Sequence, residues 1–279
     1  RDYTRRNFLK TSLGTGFAAA VLPVTAQTMI KTDTVGLTAG EVTIKVGNTP
    51  VPVYRAQPEG KTKLPVVLVV SEIFGVHEHI ADMARRFAKQ GYLALAPELF
   101  VRQGDPGSYG SMQDLITNVI AKTPDAQVMG DLDATVAWAK DNGGDVSRLG
   151  ITGFCWGGRI VWLYAAHAQV KAGVAWYGRL TQSFNPTLQP TNPIDVVGQL
   201  KAPVLGLYGG KDTGIPLTDV DKMKAALATG SAAAKQSEFV VYPEAGHAFN
   251  ADYRPSYVKS AADDGWKRCL AWFKTHGVA

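Results

Sequence analysis

Cysteine is scarce in this chain of 279 residues, with only Cys155 and Cys269 present. Two thiols exclude a small scaffold stapled by several disulfides, so stability must come from a packed core. A surplus of one charge is also missing. Lys and Arg number 29 against 24 Asp and Glu, and four of the basic residues (Arg1, Arg5, Arg6, Lys10) lie in the first 26 positions. No dense Lys/Arg stripe remains beyond them, so nucleic acid is not an expected partner. The weakly apolar stretch Thr11 to Val21 is too short to span a bilayer, and no stable membrane insertion is expected. No H-E-x-x-H or equivalent ligand cluster occurs. His77-Glu78-His79 places its histidines two apart, a spacing that does not share a helical face, and reads as loop or helix-entry surface. Neither a metal nor a cofactor is therefore expected. What is present is ordinary for a soluble globular protein, with 46% hydrophobic and 19% charged residues.

The N-terminus carries its own signal. Thr4-Arg-Arg-Asn-Phe-Leu-Lys10 fits the twin-arginine export pattern, a Gly/Ala-rich apolar stretch follows, and Pro23-Val-Thr-Ala26 ends on a small residue suited to cleavage. Residues 1–26 are accordingly read as a signal segment. The twin-arginine export machinery is the expected partner in transport, and the bacterial periplasm the expected location. Residues 27–279 are read as one α/β domain, with monomer and dimer both open.

Beyond that segment, strand and helix patterns alternate. Residues 41–56 predict two short strands around Gly47-Asn48. Pro65-Val-Val-Leu-Val-Val70 is a continuous apolar run, as in a strand buried on both faces. A helix over 79–90, a strand at 92–96, a helix over 128–140 and a strand at 148–152 follow. Then come a helix over 159–168, strands at 172–177 and 203–208, a helix near 218–228, a strand at 238–242 and a last helix from about 259. Residues 101–125 and 179–199 are the least regular. This order predicts a mostly parallel central sheet with helices on both faces.

One turn stands out. Gly150-Ile-Thr-Gly-Phe-Cys-Trp-Gly-Gly158 contains G-x-C-x-G, the nucleophile-elbow pattern with a thiol in place of the usual hydroxyl. It lies between a strand and a helix, as an elbow must. Gly153 and Gly157 would keep side chains out of a crowded turn, and a thiolate at a helix N-terminus is favoured by the free amides there. The alternatives are an inert buried thiol or a disulfide with Cys269. Cys269 shares an amphipathic helical pattern with Trp266, Leu270 and Phe273, which favours core packing for it.

A thiol nucleophile needs a base and a group that orients the base. Tyr208-Gly-Gly-Lys-Asp212 places a carboxylate just beyond one predicted strand. Tyr242-Pro-Glu-Ala-Gly-His247 places an imidazole just beyond the last. Cys155, Asp212 and His247 also follow the nucleophile, acid, histidine order of this fold. His77, His79, His167 and His276 read as surface or packing residues.

The segments Ser71-Glu-Ile-Phe-Gly-Val-His-Glu-His79, Ala96-Pro-Glu-Leu-Phe100, Gly153-Phe-Cys-Trp-Gly-Gly158, Gly209-Gly-Lys-Asp212 and Ala245-Gly-His-Ala-Phe249 together resemble the dienelactone hydrolase family (carboxymethylenebutenolidases) of the α/β-hydrolase fold. The resemblance covers essentially everything after the signal segment. It implies a Cys155–Asp212–His247 triad, and a Glu72 that contacts the cysteine and helps ionise it when substrate arrives. It also implies an oxyanion hole from the backbone N–H groups of Ile73 and Trp156. The family holds a substrate carboxylate with two arginines. One aligns with Arg102. The other falls at Ala251, and Arg254 three residues on is the candidate replacement. Trp176 and Tyr177 follow a strand and read as either pocket lining or core.

The expected activity is hydrolysis of a small ester or lactone, carboxylate-bearing if the arginines converge. A thiol peptidase, or a redox-sensing or binding protein on a hydrolase scaffold, remains an alternative.

Overall fold

The apolar run beginning at Leu64 has no polar alternation, so it can be stable as a strand only where both faces are covered. In the computed structural model, which describes residues 28–279, every residue of this strand, β3 (Leu64–Val70), is buried. The expected export signal lies outside the described residues. β3 sits inside one eight-stranded sheet of order β1-β2-β4-β3-β5-β6-β7-β8. The other strands are β1 (Leu37–Val46), β2 (Thr49–Pro58), β4 (Leu93–Pro97), β5 (Gly144–Phe154), β6 (Ala172–Trp176), β7 (Val204–Gly209) and β8 (Glu238–Tyr242). β1 and β2 form a hairpin around Gly47-Asn48, and β2 joins β4 antiparallel. From β4 to β8 all pairings are parallel.

Seven helices connect the strands among the described residues: α1 (Glu78–Lys89), α2 (Met112–Asn118), α3 (Asp125–Asp141), α4 (Trp156–His167), α5 (Leu217–Ala228), α6 (Ala232–Lys235) and α7 (Lys259–Thr275). Two strand glycines show that they cover both faces. A Cβ on Gly150 would meet Phe273 of α7, whereas one on Gly173 would meet Val161 of α4. Gly173 is in register with Ile151, the neighbour of Gly150, and successive residues point to opposite faces. So α7 and α4 lie on opposite sides of the sheet.

Most boundaries fall within a few residues of expectation. The segment 101–125, read as irregular, contains α2, capped by the Ser111 side chain accepting from the Asp114 amide. Its short length and weak periodicity hid it. The reading of His77-Glu78-His79 as surface is corrected, because both imidazoles are buried, at 6% and 2% exposure. Cys269 is fully buried in α7 and both cysteines are free thiols. Burial pushes the Cys269 thiol well above its ordinary value, as befits a core residue.

Candidate active site

Parallel strands deliver their following loops to one edge of the sheet, and that edge assembles the candidate residues. Glu72 and Ile73 follow β3, Cys155 follows β5, Tyr177 follows β6, Asp212 follows β7 and His247 follows β8.

Cys155 occupies a strained turn, with φ 56° and ψ −115°. Such a conformation persists only where its surroundings over-determine it. Here the backbone is packed too closely for side chains. A Cβ on Gly153 would stand 2.2 Å from the Gly157 carbonyl oxygen, and one on Gly157 would stand 2.3 Å from that of Val70. The Cys155 amide donates to the Trp176 carbonyl at 2.9 Å, tying the elbow to the end of β6.

The thiol meets the histidine directly. Cys155 Sγ lies 3.0 Å from His247 Nε2, and His247 Nδ1 lies 2.7 Å from Asp212 Oδ2. The other Asp212 oxygen accepts from the amides of Gly214 (2.9 Å) and Ile215 (3.1 Å), which fixes the carboxylate. The charges follow from this geometry. Burial opposes a charged imidazole, but the Cys155 thiolate and the Asp212 carboxylate outweigh it and raise His247 to about 10. Burial likewise opposes the thiolate, yet the His247 charge and hydrogen bond, with help from Arg254, hold Cys155 below its ordinary value. Glu72 acts the other way. The pair titrates as a unit, and both directions favour thiolate and imidazolium together.

The amides of Ile73 and Trp156 donate to no group among the described residues. Trp156 opens α4, where backbone N–H groups lack intrahelical acceptors. Trp156 directly follows Cys155 and Ile73 follows the neighbouring strand β3, and free amides of this kind are the donors that stabilise a developing oxyanion.

Glu72 is near enough to bias Cys155 but is bonded elsewhere. Its Oε1 lies 2.8 Å from His77 Nε2 and its Oε2 accepts from the Tyr253 hydroxyl. Burial would raise this carboxyl, but the charges of His77 and His79 and these two hydrogen bonds bring it down to about 2. The resting thiol is hydrogen-bonded to His247 instead.

The remaining candidates separate. Arg254 is near enough to bias Cys155 and lies 5.8 Å from the centre of the Phe74 ring. Tyr177 sets its ring 5.3 Å from that of His247, in contact with the site. Arg102 is taken by a bidentate ion pair with buried Asp131 of α3, both contacts at 2.9 Å. Trp176 is a core residue. Its indole N–H donates to Thr152 Oγ1, and its ring fills the space above Gly265 of α7.

Sequence reasoning did not single out Tyr253, Asp252 or Arg86, and it put His77 and His79 outside the site. Asp252 bonds Arg86 at 2.6 Å and approaches His79 Nδ1 at 3.6 Å, which anchors the segment carrying Tyr253 and Arg254 to α1. The one available signal was the polar run Asp252-Tyr-Arg254 shortly after the histidine. Among the described residues no group of three or more His, Cys, Asp or Glu side chains could hold a metal ion.

Comparison with known proteins agrees with this architecture. The sequence model of the Dienelactone hydrolase family matches residues 51–277. A "Putative carboxymethylenebutenolidase" of Methylorubrum extorquens is 60% identical over 278 residues, spanning 99% of this chain and 94% of its own. An Escherichia coli protein of the same name is 52% identical over 273 residues, spanning 96% and 98%. A Klebsiella pneumoniae crystal structure described as a "Putative Dienelactone Hydrolase" is 54% identical, with a TM-score of 0.82 over 85% of this chain and 98% of its own. The chain belongs to the dienelactone hydrolase family.

Proposed function

We propose that this protein is an exported hydrolase of small esters or lactones that works through a cysteine acyl-enzyme. The single observation behind this reading is the relay from Cys155 Sγ to His247 Nε2 (3.0 Å) and from His247 Nδ1 to Asp212 Oδ2 (2.7 Å), placed on an elbow. The relatives' names support a lactone or ester bond as the target.

The Cys155 thiolate attacks the carbonyl carbon, and the carbonyl electron pair moves to oxygen, where the Ile73 and Trp156 amides stabilise it. Each such donor typically contributes about 3 to 4 kcal/mol to the transition state. When the tetrahedral intermediate collapses, the C–O bond breaks and imidazolium Nε2 gives its proton to the departing alkoxide. In a lactone that alcohol stays tethered to the acyl group. His247, neutral again, takes a proton from water as the water attacks the thioester. Collapse of the second intermediate releases the acid and restores the thiolate–imidazolium pair. Asp212 keeps the ring oriented and supports its charge throughout.

Arg254 is the candidate for a substrate carboxylate near the thiol. Arg102 would have to leave Asp131 to join it, so the reading does not depend on Arg102. Export by the twin-arginine route to the periplasm belongs to the same proposal and rests on residues 4–26.

The test is turnover of small aryl esters and unsaturated lactones by wild type, Cys155→Ala and His247→Ala. Wild type is expected to turn over at least one class, and both variants are expected to lose about a thousandfold or more. Undiminished turnover by Cys155→Ala would sink the mechanism. Peptide cleavage without ester turnover would transfer the site to a peptidase.

A further inference from the structure

Glu72 is only 2% exposed, a setting in which an ionised carboxyl is tolerated only with close partners. It has two. His77 Nε2 meets one oxygen at 2.8 Å and the Tyr253 hydroxyl donates to the other. The two rings pack edge-on against each other, with centroids 5.0 Å apart, so they form one clamp.

His77 is the N-cap residue of α1, yet its side chain makes no capping hydrogen bond and turns instead to Glu72. Tyr253 follows Asp252, whose carboxylate is fastened to Arg86 of α1 and accepts from the Ile30 amide at 3.3 Å. Both halves of the clamp are thus built off α1. Among the described residues, the titratable and charged groups that face Glu72 and the thiol are His77 and His79 at the start of α1, Tyr253 and Arg254 beyond β8, Tyr177 after β6, and the Cys155–His247 pair.

We infer that His77 and Tyr253 are positioning residues that lock Glu72 as a fixed, ionised carboxylate beside the nucleophile, so that the thiol proton goes to His247 and not to Glu72. The inference rests on the reading of Cys155 as nucleophile given above. Glu72 then acts through its charge, opposing the thiolate. Removing the His77 donor frees Oε1 to turn and accept from the neutral S–H. Removing the Tyr253 hydroxyl frees an oxygen that can accept from the neutral S–H. Both changes favour the thiol over the thiolate.

The experiment follows alkylation of Cys155 by iodoacetamide against pH, read by mass spectrometry of the Cys155 peptide; Cys269, fully buried, serves as the unreactive internal reference. His77→Leu removes the donor to Oε1, and Tyr253→Phe removes the donor to Oε2 while keeping the ring. Each is expected to move the alkylation midpoint upward by about half a pH unit, roughly a threefold slower reaction on the rising limb. In a Glu72→Gln background neither substitution is expected to move it. Unchanged midpoints in both single variants, or the same shift persisting without Glu72, would overturn the inference. Melting curves show whether each variant folds, and if one does not, the other carries the test. Alkylation requires no turnover. Shifted midpoints in a protein that cleaves no ester would therefore leave this inference standing while the hydrolase reading falls.

Discussion

Replacing Asp212 with Asn changes one atom and reverses one hydrogen bond. Asn can keep its oxygen on the Gly214 and Ile215 amides, the two donors that now hold Asp212 Oδ1. Its amide nitrogen then faces His247 Nδ1 at the present 2.7 Å and must donate. Nδ1 can only accept if the ring proton moves to Nε2, the atom that should receive the thiol proton. Losing the charge-assisted bond alone removes about 1.5 to 3 kcal/mol, or roughly 10- to 150-fold in rate. The wrong tautomer adds to this, and the total expected loss in kcat/KM is ~10³ to 10⁴. The pH profile sharpens the test. His247 is raised to about 10, so its charged form, and the stability it brings, is fully present below its ordinary value near 6.5 and is lost as pH rises through about 10. Wild-type kcat/KM is expected to fall on an alkaline limb near 10, and in Asp212→Asn that limb moves down by more than one unit. The assay is aryl-ester hydrolysis from pH 5 to 11, with melting temperatures recorded alongside; the side-chain acceptor of the Gly214 and Ile215 amides is retained, so the variant should fold and melt only about 3 to 6 °C lower. A variant within fivefold of wild type with an unmoved alkaline limb would refute this reasoning.

Three further outcomes follow from the packing and the charges. Gly157→Ala sets a methyl 2.3 Å from the Val70 carbonyl oxygen and 2.6 Å from that of Ser71, both backbone atoms that cannot swing aside. A loss of about 3 kcal/mol, or roughly 6 to 12 °C in melting temperature, is expected by differential scanning fluorimetry, and a drop under 2 °C would contradict the close approach. Arg102→Gln strands Asp131, which is 1% exposed, so urea unfolding should show a loss of about 3 to 5 kcal/mol; a neutral result would mean that this ion pair is not structural. Glu72 and Asp252 are each lowered to about 2, so their contribution is present above their ordinary values and is lost as pH falls through that range. For Glu72 this amounts to roughly 3 kcal/mol, and urea midpoints taken from pH 5 to 2 should fall less steeply in Glu72→Gln than in wild type.

What could be read from the sequence, and what could not, divides along a physical line. The run from Pro65 to Val70 predicted a doubly covered strand because burial on both faces forbids polar alternation, and all of β3 is buried. Asp212 and His247 were legible because parallel strands end at one edge, so residues just past β7 and β8 must converge near the elbow. The imidazole at 77 was misread because its partner depends on tertiary structure. Tyr253 stands far along the chain, and no periodicity announces that it will meet Glu72. Arg102 differs again. The family resemblance made it a candidate, and its partner in the structure, Asp131, sits on the face of α3, where an acid looks solvent-exposed in a helical pattern.

The charge on the thiol is therefore set by residues beyond β3 and β8 acting in opposite directions. His247 and Arg254 pull Cys155 toward the thiolate; burial and Glu72 push it back. A thiol held by such a balance responds to small movements, and the carboxylates around it are braced. Asp212 is held by two amides, Glu72 by the His77–Tyr253 clamp, and the segment bearing Tyr253 by the Asp252–Arg86 ion pair. Arg86 and His77 both belong to the start or body of α1, whose opposite face packs into the core through Ile80, Met83, Ala84 and Phe87. The same helix that covers the sheet thus holds the Glu72 carboxylate, whose charge acts on the Cys155 thiol. A substitution in its buried face that displaced α1 would act on Cys155 through Glu72, without touching any of the three residues of the relay.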